Sequence, residues 1–283
     1  MELKLTKAEL KVCFKIYDLN KTLSASELAD ALNIKKSFLS RILKKLLKKG
    51  FIDIIKEGTK KQISQSKELH SKKLKDLYNS THKANIEKWL SGSALDVLIT
   101  LQNNNLKFLE LEADCSKKQI YNTLNKLYSA GAINKDRNFY ISNPLVLSFV
   151  EAYALFVAEK TANIKERIRK HCFVVSKTEL SLAETGLSFL LEHGLEAILI
   201  NNYYYFNLGK KSRKIDINDA FVHALLFSKY QVQDRTLLAH FYLKNRRKLS
   251  IIEIRKYAEQ LNLETELKST LLIVSNYEKL RGI

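Results

Sequence analysis

Apolar positions in the first third of the chain follow a helical period and then change to short runs. Thr6, with Glu9 three residues on, has the form of a capping box, and Leu10, Phe14, Ile16 and Tyr17 carry the helix forward. After the break LNKTLS a second box, Ser24 with Glu27, opens the short helix SELADAL. Asn33-Ile34 then makes a tight turn into KKSFLSRILKKLLKKG, residues 35–50. On a 3.6-residue period Phe38, Leu39, Ile42, Leu43, Leu46 and Leu47 share one face of that segment, and Gly50 stops it. Lys36, Ser37, Ser40, Arg41, Lys44, Lys45 and Lys48 fill the opposite face. FIDIIKEGTKKQIS follows, two short Ile-rich runs joined across Glu57-Gly58-Thr59, which is a hairpin signal.

Helix, helix, turn, basic helix, hairpin is the order of a winged helix-turn-helix. The pattern returns after a shift of 81 residues: Gly50 falls on Gly131, Ile52 on Ile133, Leu46 on Leu127, Leu43 on Leu124 and Leu39 on Ile120. The second copy has an opening helix from Ser93, a short helix near Leu106, a helix from Ser116 and a hairpin turning at Asp136–Asn138. Two occurrences in one order point to a second winged helix. The segment between them, 66–90, reads as a helical linker interrupted at Asn79-Ser80-Thr81.

Pro144 opens an apolar helix expected to run to about Arg169, ending in the basic KERIRKH. Its first four turns are apolar nearly all round, which calls for burial on more than one side, by the C-terminal domain or by a second chain, and favours a dimer seam at Phe149 and Phe156. CFVVSK reads as a strand, and EAILINNYYYFNL as a hairpin turning at Asn201-Asn202, with the helical LAETGLSFLLEHG between them. Four amphipathic helices close the chain: INDAFVHALLFSK, DRTLLAHFYLKNR, SIIEIRKYAEQLN and LETELKSTLLIVSNYEKL. The expected fold class is therefore mainly α with small β elements. It comprises winged helices at 1–65 and 91–143, a linker at 66–90, a connecting helix at 144–170, and an α+β domain with a helical tail at 171–283.

Charge changes this picture from architecture to function. Of the 48 Lys and Arg against 30 Asp and Glu, residues 1–90 hold 21 against 10, a net of +11. Positive charge is thus densest around the first winged helix, which points to a polyanionic partner. No run reaches the length of a membrane span, and MELKLTKAEL lacks the apolar core of a secretion signal, so a cytoplasmic protein with no membrane partner is expected. Cys13, Cys115 and Cys172 lie far apart with no CxxC pair, which reads as reduced structural thiols with no metal site.

A cationic amphipathic helix can lie on a membrane, face solvent or enter a DNA groove. Only the last needs a placed helix before it and a hairpin after it. SASELADALNIKKSFLSRILKKLLKKGFIDI with KEGTKKQI resembles the winged-helix regulators of the MarR and ArsR type, in an archaeal form, over residues 5 to 65. The resemblance implies that Lys36, Ser37, Ser40, Arg41 and Lys44 face the major groove of double-stranded DNA. Arg41 is the expected base contact, because a guanidinium bonds two guanine acceptors at once. Lys45, Lys48, Lys60 and Lys61 are expected at phosphates. In the second copy the exposed set is Lys117, Lys118, Gln119, Tyr121, Asn122 and Lys126; it is less charged, with amides that suit adenine edges.

The C-terminal half carries no catalytic signature. Asp216 and Asp219 are spaced as helix-capping acids, no phosphate-binding glycine loop is present, and His171, His193, His223 and His240 sit on separate elements. TGLSFLLEHGLEAI with the Tyr-rich strand faintly resembles the C-terminal part of AbiEi-type antitoxins, which also carry an N-terminal winged helix. The expected function is a DNA-binding transcriptional regulator, a homodimer without cofactor or metal. Its C-terminal domain is expected to sense a small effector or assemble with a protein. The alternatives are an antitoxin-like protein that neutralises a protein partner, and a nucleic-acid enzyme with winged-helix clamps.

Overall fold

The computed structural model describes residues 4–57, 60–81, 86–101, 106, 113, 115–137, 139–208, 214–229 and 232–281. Two compact units divide the chain, one ending at Ala162 and one beginning at Asn163.

In the first unit α1 (Lys7–Leu19) starts on a complete capping box: Glu9 N–H donates to Thr6 Oγ1 at 3.2 Å, and Thr6 N–H donates to Glu9 Oε2 at 2.7 Å. Ser24 and Glu27 open α2 (Ala25–Leu32) in the same way. Asn33 then takes a left-handed conformation, φ 51°, and Ile34 N–H donates to Ala29 O, turning the chain sharply into α3 (Lys36–Lys48). Asn tolerates this φ better than most residues, which suits it to the turn. A sheet follows with β2 (Ile52–Glu57) and β3 (Lys60–Gln65) antiparallel. A third strand that the sequence pattern does not show, β1 (Leu23–Ser24), pairs on the other side of β3. Two residues are too few to carry a period. Gly58 and Thr59, where the hairpin was expected to turn, lie outside the described residues.

Next come α4 (Leu69–Ser80), which ends where the break at Asn79-Ser80-Thr81 was expected, α5 (Ile86–Leu90) and α6 (Ala94–Leu101). After these are α7 (Lys117–Ser129), β4 (Ile133–Asp136), β5 (Phe139–Ser142) and α8 (Pro144–Glu159). The helix expected near Leu106 falls outside the described residues except for Leu106 itself, which is helical. Gly50 and Gly131 end α3 and α7 in the same left-handed conformation, φ 70° and 68°. Leu46 and Leu127, like Leu39 and Ile120, are fully buried at corresponding positions. Gly50 carries a second constraint: a Cβ there would meet the Phe156 ring, whereas Gly131 has open space.

The helix from Pro144 is shorter than expected. It ends at Glu159, and the basic run beyond it is a strand, β6 (Ile164–Ile168), which turns at Arg169 (φ 54°) into β7 (His171–Ser176). Ile164 and Ile168 make a β-branched frame that pairs with β7, and the charges between them sit on a sheet edge, where charge discourages intermolecular pairing. The dimer seam also loses its basis. Phe149, Tyr153 and Phe156 are buried within the chain, against Phe51 and His70 at ring separations of 4.4–6.4 Å.

His70 sits inside this aromatic group, edge-on to Phe51, with its Nε2 2.9 Å from the Lys49 carbonyl. Burial pushes its pKa down to about 4. The unfolded imidazole titrates near ~6.5, so on acidification the unfolded chain takes the proton first. Stability is therefore full above about pH 7 and falls between roughly pH 6.5 and 4, by about 3 kcal/mol in all. His70→Gln keeps a donor for Lys49 O and does not titrate. Urea unfolding followed by the fluorescence of the single tryptophan, Trp89, should show a flatter acid limb for this variant; parallel limbs would contradict the assignment.

The second unit joins β6 and β7 to β8 (Ala183–Glu184) and β9 (Asn202–Asn207) in an antiparallel sheet of order β6-β7-β9-β8. Helices α9 (Gly186–Glu192), α10 (Ile217–Phe227), α11 (Val232–Asn245), α12 (Ile251–Gln260) and α13 (Glu264–Arg281) complete it. Residues Asp219 to Phe227 of α10 are all buried, which makes α10 the central rod of this core. The hairpin expected at Asn201-Asn202 does not form. β9 already has β7 on one side and β8 on the other, so no edge is left for EAILIN, whose Ile198 is 98% exposed.

Candidate nucleic-acid interface

The basic helix is anchored by its underside. Leu39, Ile42, Leu43 and Leu46 of α3 are buried against the first unit's core, and this fixes which residues point out. Lys36, Ser37, Ser40, Arg41, Lys44, Lys45 and Lys48 are all exposed. Lys36, Arg41, Lys44, Lys45 and Lys48 make no ion pair with any described residue. One helix of about 20 Å thus carries an array of like charges that nothing in the described chain neutralises. On β3, Lys61 is exposed and stands opposite Lys56 in the register; Lys60 stands opposite Glu57 as backbone, its side chain lying outside the described residues.

Three positions differ from the periodic pattern. Phe38 and Leu47, at the margins of the apolar face, are 43% and 46% exposed, because the underside is wide enough to bury only the middle of that stripe. Arg41 lies with its Cζ 5.8 Å from the centre of the Phe38 ring. Lys49 turns inward. It is buried beside Glu9, donating to that carboxylate at 2.9 and 3.1 Å and to the Lys4 carbonyl at 2.6 Å. Glu9 therefore serves both the cap of α1 and the pairing of α1 with the end of α3.

On α7 the residues Lys117, Lys118, Gln119, Tyr121, Asn122 and Lys126 are exposed. Gln119 is engaged locally, its Oε1 accepting from Ser116 N–H at 3.1 Å to close a capping box. This occupies the acceptor with which it would read a base. The α3 set and the α7 set lie on separate helices of the same unit.

Two of the histidines placed on separate elements come together in the second unit. His171 Nδ1 bonds Tyr205 Oη at 2.9 Å, His223 Nε2 bonds Tyr257 Oη at 2.7 Å, and His223 Nδ1 meets Thr185 Oγ1 at 2.6 Å. Tyr205 stacks on His223 at 4.8 Å. No local spacing signals this group, which joins β7, β9, α10 and α12. Burial pushes the Cys172 thiol up to about 12 and the Cys13 thiol well above its usual range, so neither ionises near neutrality. Among the described residues no group of three or more His, Cys, Asp or Glu side chains is placed to hold a metal ion. No described helix is long and apolar enough to cross a membrane. A cleft of about 670 Å³ lies between α11, α13 and the segment after α9, with Leu237, Phe241, His240 and Tyr277 in its lining. Arg246 and Glu278 pair at 2.7 Å on its rim, as do Lys244 and Glu196 at 2.5 Å.

Helix-turn-helix, basic third helix and a β-hairpin define a winged helix at the N-terminus. Residues 5–56, which span α1 to β2, match the family model described as the MarR family. No curated protein and no solved structure matches the chain.

Proposed function

We propose that the protein is a sequence-specific regulator of transcription that binds double-stranded DNA in the cytoplasm through α3 and the β2–β3 wing. The observation that carries this reading is the uncompensated cationic face of α3, held outward by a buried underside within the MarR-matched segment. Lys36, Ser37, Ser40, Arg41 and Lys44 enter the major groove, and Lys45, Lys48, Lys60 and Lys61 meet phosphates.

The segment 91–143 acts in this reading as a second winged helix, with Lys117, Lys118, Tyr121, Asn122 and Lys126 toward DNA and Gln119 as cap. The regulator works as a homodimer whose seam is other than the buried flank of α8. The cleft between α11 and α13 is the place for a small effector, with no cofactor or metal required.

Lys44→Ala together with Lys45→Ala should weaken binding to every DNA sequence tested. The slope of log affinity against log salt should fall by about one to two, close to one for each phosphate that is no longer neutralised. Affinity measured from low to moderate salt decides this, and an unchanged slope would remove α3 from the DNA backbone.

A further inference from the structure

From the exposed pair Phe38 and Arg41 on α3, we propose that the protein reads a thymine beside a guanine, the Phe38 ring covering the thymine C5-methyl while Arg41 takes the guanine edge. The inference rests on the DNA-binding reading above and names the base step that this face selects. Phe38 and Arg41 lie one helical turn apart in the N-terminal half of α3, the part of a recognition helix that reaches base edges. Phe38 is 43% exposed, and its one described ring contact is the Arg41 guanidinium, 5.8 Å from the ring centre. Residues three apart advance ~4.5 Å along a helix axis, between one and two of the ~3.4 Å steps of stacked base pairs, so two neighbouring pairs lie within reach of these side chains. In the major groove only thymine presents a methyl group, and guanine offers two acceptors to a guanidinium fork. The ring also restricts where the guanidinium can swing, which lowers the entropy cost of the fork.

The other copy of the pattern shows what α3 gives up. Shifted by 81 residues, Lys35 and Phe38 correspond to Ser116 and Gln119, which close a capping box on α7. On α3 the N-cap is Lys35 with no side-chain bond, and the position that would complete the box carries an exposed aromatic ring instead. A local stabilising device is thus missing on α3, and departures of this kind are expected where a position serves function.

The test uses the full-length protein and a duplex obtained by selection from random DNA, with each thymine replaced in turn by deoxyuridine. That change removes the C5-methyl and leaves the hydrogen-bonding edge intact. At a thymine flanked by guanine, wild-type affinity should fall about three- to fivefold, the worth of one methyl group. Phe38→Ala should bind the two duplexes equally, and Phe38→Leu should keep part of the difference. The variant Lys35→Ser with Phe38→Gln, which restores the capping box, should melt higher than wild type yet lose the discrimination; a melting point below wild type would make Phe38 a packing residue and overturn the proposal. Specific binding with no sensitive thymine, or a penalty that survives Phe38→Ala, would also overturn it while leaving the regulator intact. A wild-type protein that selects no sequence from random DNA would overturn the DNA-binding reading itself.

Discussion

Lys49→Met is expected to remove about 3–5 kcal/mol from the stability of the first unit, the usual cost of leaving one partner of a buried ion pair behind. Glu9 would be left with a single bond from Thr6 N–H in a site that is 1% exposed. Adding Glu9→Gln should recover most of the loss, because the amide still accepts from Thr6 N–H and carries no charge to bury. Urea unfolding of the full chain, followed by Trp89 fluorescence, reads the first unit directly. A single variant within about 1 kcal/mol of wild type would show that water reaches the Glu9 carboxylate. DNA binding by the refolded variant should keep its salt slope, since Lys49 points into the core and not toward phosphates. That separates it from Lys44, Lys45 and Lys48 in the same basic run.

Arg41→Ala carries the largest expected effect on recognition: about 1–3 kcal/mol at one base pair, with preference relaxed there alone. Arg41→Lys should restore general affinity and little discrimination, because an ammonium supplies the charge without the two-donor fork. In the second segment Asn122→Ala should alter preference at a different base pair. A panel of single-base variants of the selected site, titrated at one salt concentration, distinguishes the outcomes. Uniform weakening by Arg41→Ala would make this residue a phosphate contact, and an unaffected panel for Asn122→Ala would leave α7 a structural element.

The local features of this protein were legible in the chain alone. The capping boxes at Thr6 and Ser24, the helix start at Ser116, the tight turn at Asn33, the glycine stop at Gly50 with its counterpart Gly131, and the outward face of α3 depend on contacts within about one helical turn. Side-chain types at fixed short spacing determine such features, whatever surrounds them. The exposed residues proposed to meet DNA follow for the same reason: once the middle of an apolar stripe is buried, the opposite face has no freedom of direction.

What only the tertiary structure decided were choices that depend on a partner distant in sequence. Ile164–Ile168, holding the start of the basic run, became an edge strand because β7 offers it an edge, and EAILIN stayed unpaired because β9 has none to spare. The apolar flank of α8 is covered by Phe51 and His70, so its composition, which left open the C-terminal domain or a second chain as its cover, is satisfied within the first unit. Lys49 belongs by spacing to the basic run, yet it lies inside because Glu9, 40 residues away, supplies the opposite charge that makes burial possible. Phe38 belongs by spacing to the core and lies outside because the underside of α3 is narrower than its apolar stripe. Periodicity assigns a residue to a face of its own helix; whether that face meets water, a counter-charge or another helix is set by elements that no local pattern contains.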